Sequence, residues 1–436
     1  MKSFLKEFEK KVKKKEIKIA VVGLGYVGLP LALEFTKKNF TVFGIEIDQD
    51  RLMKLKKKQS YITDITTPEL RGAINRGKLI PHADFKILNE SDVVIICVPT
   101  PLKRKYYPDI SYIKQAVKAI SRYLKKKSLL ILESTTYPGT TDEVILPLLE
   151  AGGLKHGKDF YLCFSPERID PGNIKFPLCK IPKVIGGITQ DAGRLGKMVY
   201  NIIIEKVVVV SSTRVAEITK LLENTFRIVN IGLIDEIAMM AHKMKIDIWE
   251  VIKAAKSKPF GFMPFYPGPG VGGHCIPKDP LYLYWKAKKF GFHSRFIKLA
   301  SDVISYMPEY IIGRSEEMLS KRGLSLDNAK ILLIGLTYKK DVKDLRQSPA
   351  LDILDILKRR KARIAYHDPL IPFLKLNGFD FKSLDLTAEN LKKFDCVLIV
   401  TDHSSLDYNF ILKNSRLIFD TRDVYKGKNS QKVVKL

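Results

Sequence analysis

The chain has 436 residues, enough for two or three domains of ordinary size. Its apolar and charged fractions, 45% and 28%, are those of a globular protein, and no apolar run approaches the roughly 20 residues that span a bilayer. The formal charge is +28, but the lysines are scattered in runs such as KKVKKK (10–15), KLKKK (54–58) and YLKKKS (123–128); solvated faces and a polyanionic substrate are expected, with no nucleic-acid partner.

The chain opens on MKSFLKEFEKKVKKKEIK, a charged helical leader without the apolar core of a signal peptide, so a cytoplasmic protein is expected. Residues 17–48, IKIAVVGLGYVGLPLALEFTKKNFTVFGIEID, alternate an apolar strand, a glycine turn, an amphipathic helix and a second strand ending in acid. Further strands are predicted at 92–98, 128–135, 161–166 and 206–211. Residues 211–247 and about 294–322 carry apolar residues at helical steps. Residues 330–369 then repeat the strand–turn–helix–strand layout, followed by strands at 395–401 and 417–421. Strands alternating with helices imply parallel βαβ units. The expected α/β architecture is two doubly wound Rossmann-like domains, 1–211 and 321–436, joined by a central helical domain, 212–320, where dimer contacts are expected.

The first turn reads Gly23-Leu24-Gly25-Tyr26-Val27-Gly28, a G-x-G-x-x-G between strand and helix. That context makes it a dinucleotide site, with the pyrophosphate on free N–H groups of the helix. Glu46, ending the second strand about 20 residues on, suits the two ribose hydroxyls of NAD and repels the extra phosphate of NADP. VPTP (98–101) and ESTTYPG (133–139) close other strands at the carboxyl edge, where ligands bind in such sheets. Thr135 could equally satisfy a turn backbone. Lys220 and Asn224 stand i, i+4 on one helix face and could steady a developing alkoxide, although surface pairs of this kind are common.

Of five cysteines, none forms a C-x-x-C pair. Cys97 and Cys396 lie in apolar runs, and nothing acid–base beside Cys163 or Cys179 makes an interpretable pattern. Cys275 differs. It sits in PGPGVGGHCIPKDP, with His274 and Lys278 beside it and a helix predicted to start at Asp279 (N-cap) and Pro280 (N1). Cations and a helix N-terminus both favour thiolate. An aldehyde has no hydride to give until a nucleophile adds to it, so NAD with a reactive cysteine points to oxidation as far as a carboxylic acid. An inert loop thiol is the bland alternative.

GLGYVGLP, GIEID, VPTP, ESTTYPGTT, FSPER, AEITKLLENTFRIVNI, GGHCIPKDP and GLTYKKDVKDLRQSPAL occur in an order that resembles the UDP-glucose/GDP-mannose dehydrogenases, from about Ile17 to about Lys426. The resemblance implies a four-electron oxidation of C6 of a nucleotide sugar with two NAD. It implies Cys275 as nucleophile, Lys220 and Asn224 at the reacting oxygen, Asp279 and Thr135 positioning water and alkoxide, and Glu167 serving thioester hydrolysis. It also implies NAD contacts from Gly23, Gly25, Tyr26, Val27, Gly28, Glu46, Arg51, Pro99, Thr100, Thr135 and Arg346. The UDP-sugar would be met by Glu167, Arg168, Lys220, Asn224, Tyr266, Gly272, His274, Lys339 and Arg422. No metal is implied, and a homodimer or higher homo-oligomer is expected.

In the UDP-glucose branch a second glutamate follows the SPE motif by four residues. Here the string is Glu167-Arg168-Ile169-Asp170-Pro171-Gly172-Asn173, which with His274 and PTPLKRKYYPDISYI resembles the branch acting on UDP-N-acetylhexosamines. UDP-GlcNAc is favoured over UDP-ManNAc. Lys278 matches the UDP-glucose enzymes instead and keeps that substrate open. A two-electron 3-hydroxyacid-type dehydrogenase, or a basic nucleic-acid- or membrane-surface protein sensing NAD, leaves the cysteine loop without a purpose.

Overall fold

Five residues, Lys18–Val22, form the first strand (β1), and their apolar run is buried on both faces, as a central parallel strand requires. The structure, a computed structural model, describes residues 2–62, 65–103, 107–169, 176–376, 378–428 and 430–436. The chain divides into two compact units, residues 1–223 with 281–292, and residues 224–280 with 293–436. The helices Thr213–Lys243 and Cys275–Lys288 each give residues to both.

In the first unit β1 is joined by β2 (Thr41–Ile45), β3 (Leu79–His82) and β4 (Val93–Ile96). A short hairpin follows, β5 (Leu102–Lys103) with β6 (Tyr107–Pro108), then β7 (Ser128–Leu132), β8 (Phe160–Phe164), β9 (Lys183–Gly187) and β10 (Val207–Val210). Eight of them form one sheet in the order β10-β9-β8-β7-β4-β1-β2-β3. All pairings are parallel except β8 with β9. The antiparallel step and strands β3 and β9 escaped the sequence reading: β9 is a short KVIGG with two glycines and a charged first residue. The helix Gly28–Lys37 buries Leu29, Leu31, Ala32, Leu33 and Phe35 on this sheet and ends where Asn39 adopts a left-handed φ of 70°. The leader helix Lys2–Lys13 is no free arm, since Phe8 is buried and Phe4 and Leu5 pack on the same core.

The second unit holds a five-stranded parallel sheet: β11 (Lys330–Ile334), β12 (Arg363–His367), β15 (Cys396–Ile399), β16 (Ile418–Asp420) and β17 (Val433–Lys435), ordered β12-β11-β15-β16-β17. Between β12 and β15 a hairpin is made by β13 (Phe373–Leu376) and β14 (Phe379–Lys382). The helix Pro349–Arg359 begins as its sequence dictates, with Ser348 capping the Ala350 N–H and Pro349 at the first position. The long helices Thr213–Lys243 and Arg295–Ser320 occupy the middle of the chain. No described helix is long and apolar enough to cross a membrane.

Candidate active site

The glycine turn is fixed from three sides. Gly23 takes φ +91° and donates its N–H to Ile45 O, and a Cβ there would meet the Cys97 carbonyl oxygen at 2.8 Å. A Cβ on Gly28 would lie 1.9 Å from the Gly23 carbonyl oxygen. On Gly25 it would meet nothing closer, among the described residues, than the Arg51 guanidinium, 3.8 Å away. Gly23 and Gly28 thus close the turn against strand and helix, while Gly25 keeps space open for a ligand, as a pyrophosphate needs. Tyr26 is exposed and Val27 half-buried beside it.

Glu46 is buried and its carboxylate is already engaged. Oε2 accepts the Leu24 N–H at 3.1 Å, Oε1 accepts those of Ile47 (2.9 Å) and Asp48 (3.1 Å), and Arg51 lies 3.3 Å from Oε2. The acid expected at the ribose therefore also braces the glycine turn, a role invisible in spacing. Pro99 is exposed at the end of β4, and buried Thr100 accepts the Tyr282 hydroxyl at its carbonyl.

Within the first unit Lys220 donates from Nζ to Thr135 Oγ1, so two expected site residues are in contact. The neighbouring TTYPGTT turn is held by Glu217, which accepts the N–H groups of Gly139 (2.6 Å) and Thr141 (2.9 Å) and the Thr141 hydroxyl (2.7 Å); burial pushes its carboxyl up to about 7. Glu167 is buried in a charged cluster. Its Oε1 accepts the N–H groups of Arg168 (2.6 Å) and Ile169 (2.8 Å), and its Oε2 accepts Lys183 Nζ at 2.7 Å. The Arg168 side chain turns to Glu223, donating from Nε at 3.1 Å and Nη2 at 2.5 Å. Lys183 also contacts Glu133 at 3.1 Å, and Glu133 accepts the Tyr200 hydroxyl. Sequence reasoning missed Glu133, Lys183, Tyr200 and Glu217. The available signal was a charged residue at either end of an apolar strand, in LLILE and KVIGG.

In the second unit the cysteine loop is packed under the GLTYKKDVKDLRQSP segment. The Gly273 N–H donates to Arg346 O at 2.8 Å, and a Cβ on Gly272 would strike the Gln347 carbonyl and the Tyr338 side chain, both at 2.6 Å. The adjacent glycines Gly272 and Gly273 thus serve close backbone packing. Cys275 is exposed. The helix begins at Cys275 itself, with Pro280 inside it, so the expected start at Asp279 is corrected. Pro277 falls in the first turn, where no N–H partner is needed, and Pro280 forgoes only the bond to Ile276 O. Asp279 is not the cap; it is buried and accepts Asn224 Nδ2 at 2.7 Å. Cys275 thereby stands at the positive end of the helix.

His274 and Lys278 meet, Lys278 Nζ lying 3.3 Å from Nδ1, and burial followed by repulsion from Arg346 lowers the Lys278 pKa. Arg346 forms a forked pair with Asp344, Nη2 to Oδ2 at 2.6 Å. Lys339 is half-buried, and Tyr266 is exposed beside Trp249. Arg422 donates from Nε to Val400 O at 2.7 Å, and a Cβ on Gly268 would meet its Nη1 at 2.7 Å. Asp235, fully buried, accepts the Gly268 N–H at 3.0 Å, and burial pushes its carboxyl up to about 8. Asp170, Pro171, Gly172, Asn173 and residues 104–106, on which the branch reading partly rests, lie outside the described residues.

Three family models match the chain in order: the NAD-binding, central and UDP-binding domains of the UDP-glucose/GDP-mannose dehydrogenase family, at residues 17–204, 214–304 and 332–427. A UDP-N-acetyl-D-glucosamine 6-dehydrogenase of Pseudomonas aeruginosa is 39% identical over 82% of this chain and 84% of its own length. A UDP-N-acetyl-D-mannosamine dehydrogenase of Pyrococcus horikoshii is 35% identical over 94% and 96%. Among solved structures, a UDP-D-ManNAc dehydrogenase from Pyrococcus horikoshii superposes with a TM-score of 0.87 at 33% identity, covering 96% of this chain and 99% of that one.

Proposed function

The chain belongs to the UDP-glucose/GDP-mannose dehydrogenase family and is an NAD-dependent UDP-sugar dehydrogenase; from that premise we propose that it oxidises C6 of a UDP-N-acetylhexosamine, UDP-GlcNAc foremost, to the uronate. NAD, when bound, supplies the hydride acceptor for both oxidations. Lys220, with Thr135 on its ammonium, and Asn224, with Asp279 on its amide, hold the C6 oxygen as its proton departs. The Cys275 thiolate then adds to the aldehyde carbon, giving a thiohemiacetal that loses the second hydride and becomes a thioester. Water adds to the acyl carbon, the C–S bond breaks, and Glu167 accepts a water proton. One alcohol, two NAD and one water become one carboxylate, two NADH and three protons.

The observation that carries this reading is an exposed thiol on the first residue of a helix, in a loop held by Gly272 and Gly273. The N-acetyl preference draws support from the His274–Lys278 contact. An ammonium at Nδ1 makes that nitrogen the acceptor, so Nε2 carries the proton and can donate to an amide carbonyl. The GlcNAc epimer draws support from the Pseudomonas aeruginosa relative. NADH release measured with UDP-GlcNAc, UDP-ManNAc, UDP-GalNAc and UDP-Glc tests the choice; a higher kcat/KM for UDP-Glc than for every acetylated sugar would refute it.

The product suits polysaccharide or glycan assembly. The long helix Thr213–Lys243 shows Phe226, Leu233 and Met240 at seven-residue steps with 46%, 54% and 48% exposure, an apolar seam that supports a homodimer.

A further inference from the structure

The buried cluster around Glu167 contains more ionisable groups than the reaction uses. It has two carboxylates, Glu133 and Glu167, on either side of one ammonium, Lys183, each with 8% or less of its side chain exposed. Glu133 lies at the end of β7, two residues before Thr135; Lys183 opens β9. Tyr200 donates its hydroxyl to Glu133 Oε1, the Cys97 thiol lies 3.9 Å from Oε2, and the Lys183 ammonium sits 5.1 Å above the Tyr200 ring.

A buried ion cluster is seldom an asset to stability, because desolvating several charges costs more than their attraction returns unless the geometry is good. Its consequence for protonation is direct. Burial alone would protonate both acids. For Glu167 that push is overcome by Lys183 and by the Arg168 and Ile169 N–H groups, which hold its carboxyl below the ordinary range. For Glu133 burial wins and the carboxyl is raised, while the two acids together push Lys183 up despite its burial. A single shared cation therefore pushes two like acids apart, Glu167 downward and Glu133 upward, the arrangement by which acid and base roles are assigned.

We propose that Lys183 and Glu133 are positioning residues for thioester hydrolysis: Lys183 holds Glu167 ionised and oriented to take the proton of the attacking water, and Glu133 tunes how much of that cation Glu167 receives. The proposal rests on the reading of Glu167 given above. Among the described residues, the groups facing Glu167 are Lys183 and the Arg168 and Ile169 N–H groups; beyond Lys183 stand Glu133, Tyr200 and Cys97. The two carboxylates compete for Lys183, so removing different members must move Glu167 in opposite directions.

The test follows acyl-enzyme decay against pH, by rapid quench and intact-protein mass, in wild type, Lys183→Met and Glu133→Gln. Without its cation Glu167 protonates more readily. In Lys183→Met the acid limb of the hydrolysis rate should move to higher pH, with acyl-enzyme accumulating and turnover at neutral pH falling about 10–100-fold, part of what a positioned base contributes. The first-turnover NADH burst should survive. In Glu133→Gln the ammonium serves Glu167 alone, and the limb should move to lower pH with turnover within about threefold of wild type. If Lys183→Met does not fold, the Glu133→Gln shift decides. Limbs that stay put, or move in the same direction in both variants, would overturn the proposal while the four-electron reading stands. A wild type that forms no acyl-enzyme would overturn that reading and this proposal together.

Discussion

Gly25→Ala and Gly28→Ala change equivalent-looking letters of one motif and should fail in different ways. At Gly28 the added methyl would lie 1.9 Å from the Gly23 carbonyl oxygen, a backbone atom held in a turn whose Gly23 N–H is bonded to Ile45 O. Helix and turn must part, and overpacking of this kind costs about 3 kcal/mol. For a unit of this size that corresponds to a Tm loss of roughly 6–12 °C. Among the described residues, the methyl at Gly25 meets only the end of the Arg51 side chain, at 3.8 Å. The apo protein should melt within about 2 °C of wild type, since Gly→Ala at an unstrained position is neutral or slightly stabilising. NAD, however, loses its closest approach to the backbone. A tenfold weaker Kd, about 1.4 kcal/mol, is the minimum expected. At a concentration near 100 times the wild-type Kd, NAD stabilises the native state by about 2.7 kcal/mol, and by about 1.4 kcal/mol after that loss. Thermal melts with and without NAD, together with titration calorimetry, separate the two. A Gly28→Ala protein with wild-type Tm, or a Gly25→Ala protein with wild-type affinity, would refute the division of labour.

Glu46→Gln removes the charge at the expected ribose site while keeping an acceptor for the Leu24 N–H; the NAD-over-NADP ratio of kcat/KM should fall at least about tenfold, and an unchanged ratio would remove Glu46 from cofactor selection. Asp235 carries a folded-state pKa of about 8 against about 3.9 unfolded, so the native state binds the extra proton and stability drains as pH rises between those values. Asp235→Asn ends that loss; its Tm advantage over wild type should grow from pH 5 to pH 8.5, and an advantage that is flat or shrinks contradicts the burial argument. Leu233→Glu combined with Met240→Glu should convert a dimer to a monomer by light scattering, and a retained dimer would place the interface elsewhere.

Much of the fold was legible because the pattern is strong where a parallel sheet is buried on both faces. IAVV, VVII, LLIL and VLI read as strands at once, and the glycine turn GLGYVG marked the helix behind it. The antiparallel β8–β9 step was not legible, because KVIGG is short and glycine-rich and carries too little pattern to mark a strand or its direction. The helix starting at Cys275 was misplaced because Asp279-Pro280 is a good local cap signal. Tertiary context won: Asp279 is engaged by Asn224, 55 residues away. Lys220 and Asn224 could be paired from spacing alone, but their partners Thr135 and Asp279 could not, since each contact joins distant segments. The Glu133–Lys183–Glu167 cluster was hidden for the same reason: single charges at strand ends look like edges, and only the folded sheet makes them neighbours.

The central claim is that one loop thiol carries an alcohol through to an acid. Single-turnover NADH counting with UDP-GlcNAc, paired with intact mass of the quenched enzyme, tests it directly. Two NADH per sugar and an acyl adduct on Cys275 that disappears in Cys275→Ala are the predicted results. One NADH per sugar, or carboxylate formed by Cys275→Ala at the wild-type rate, would contradict the account.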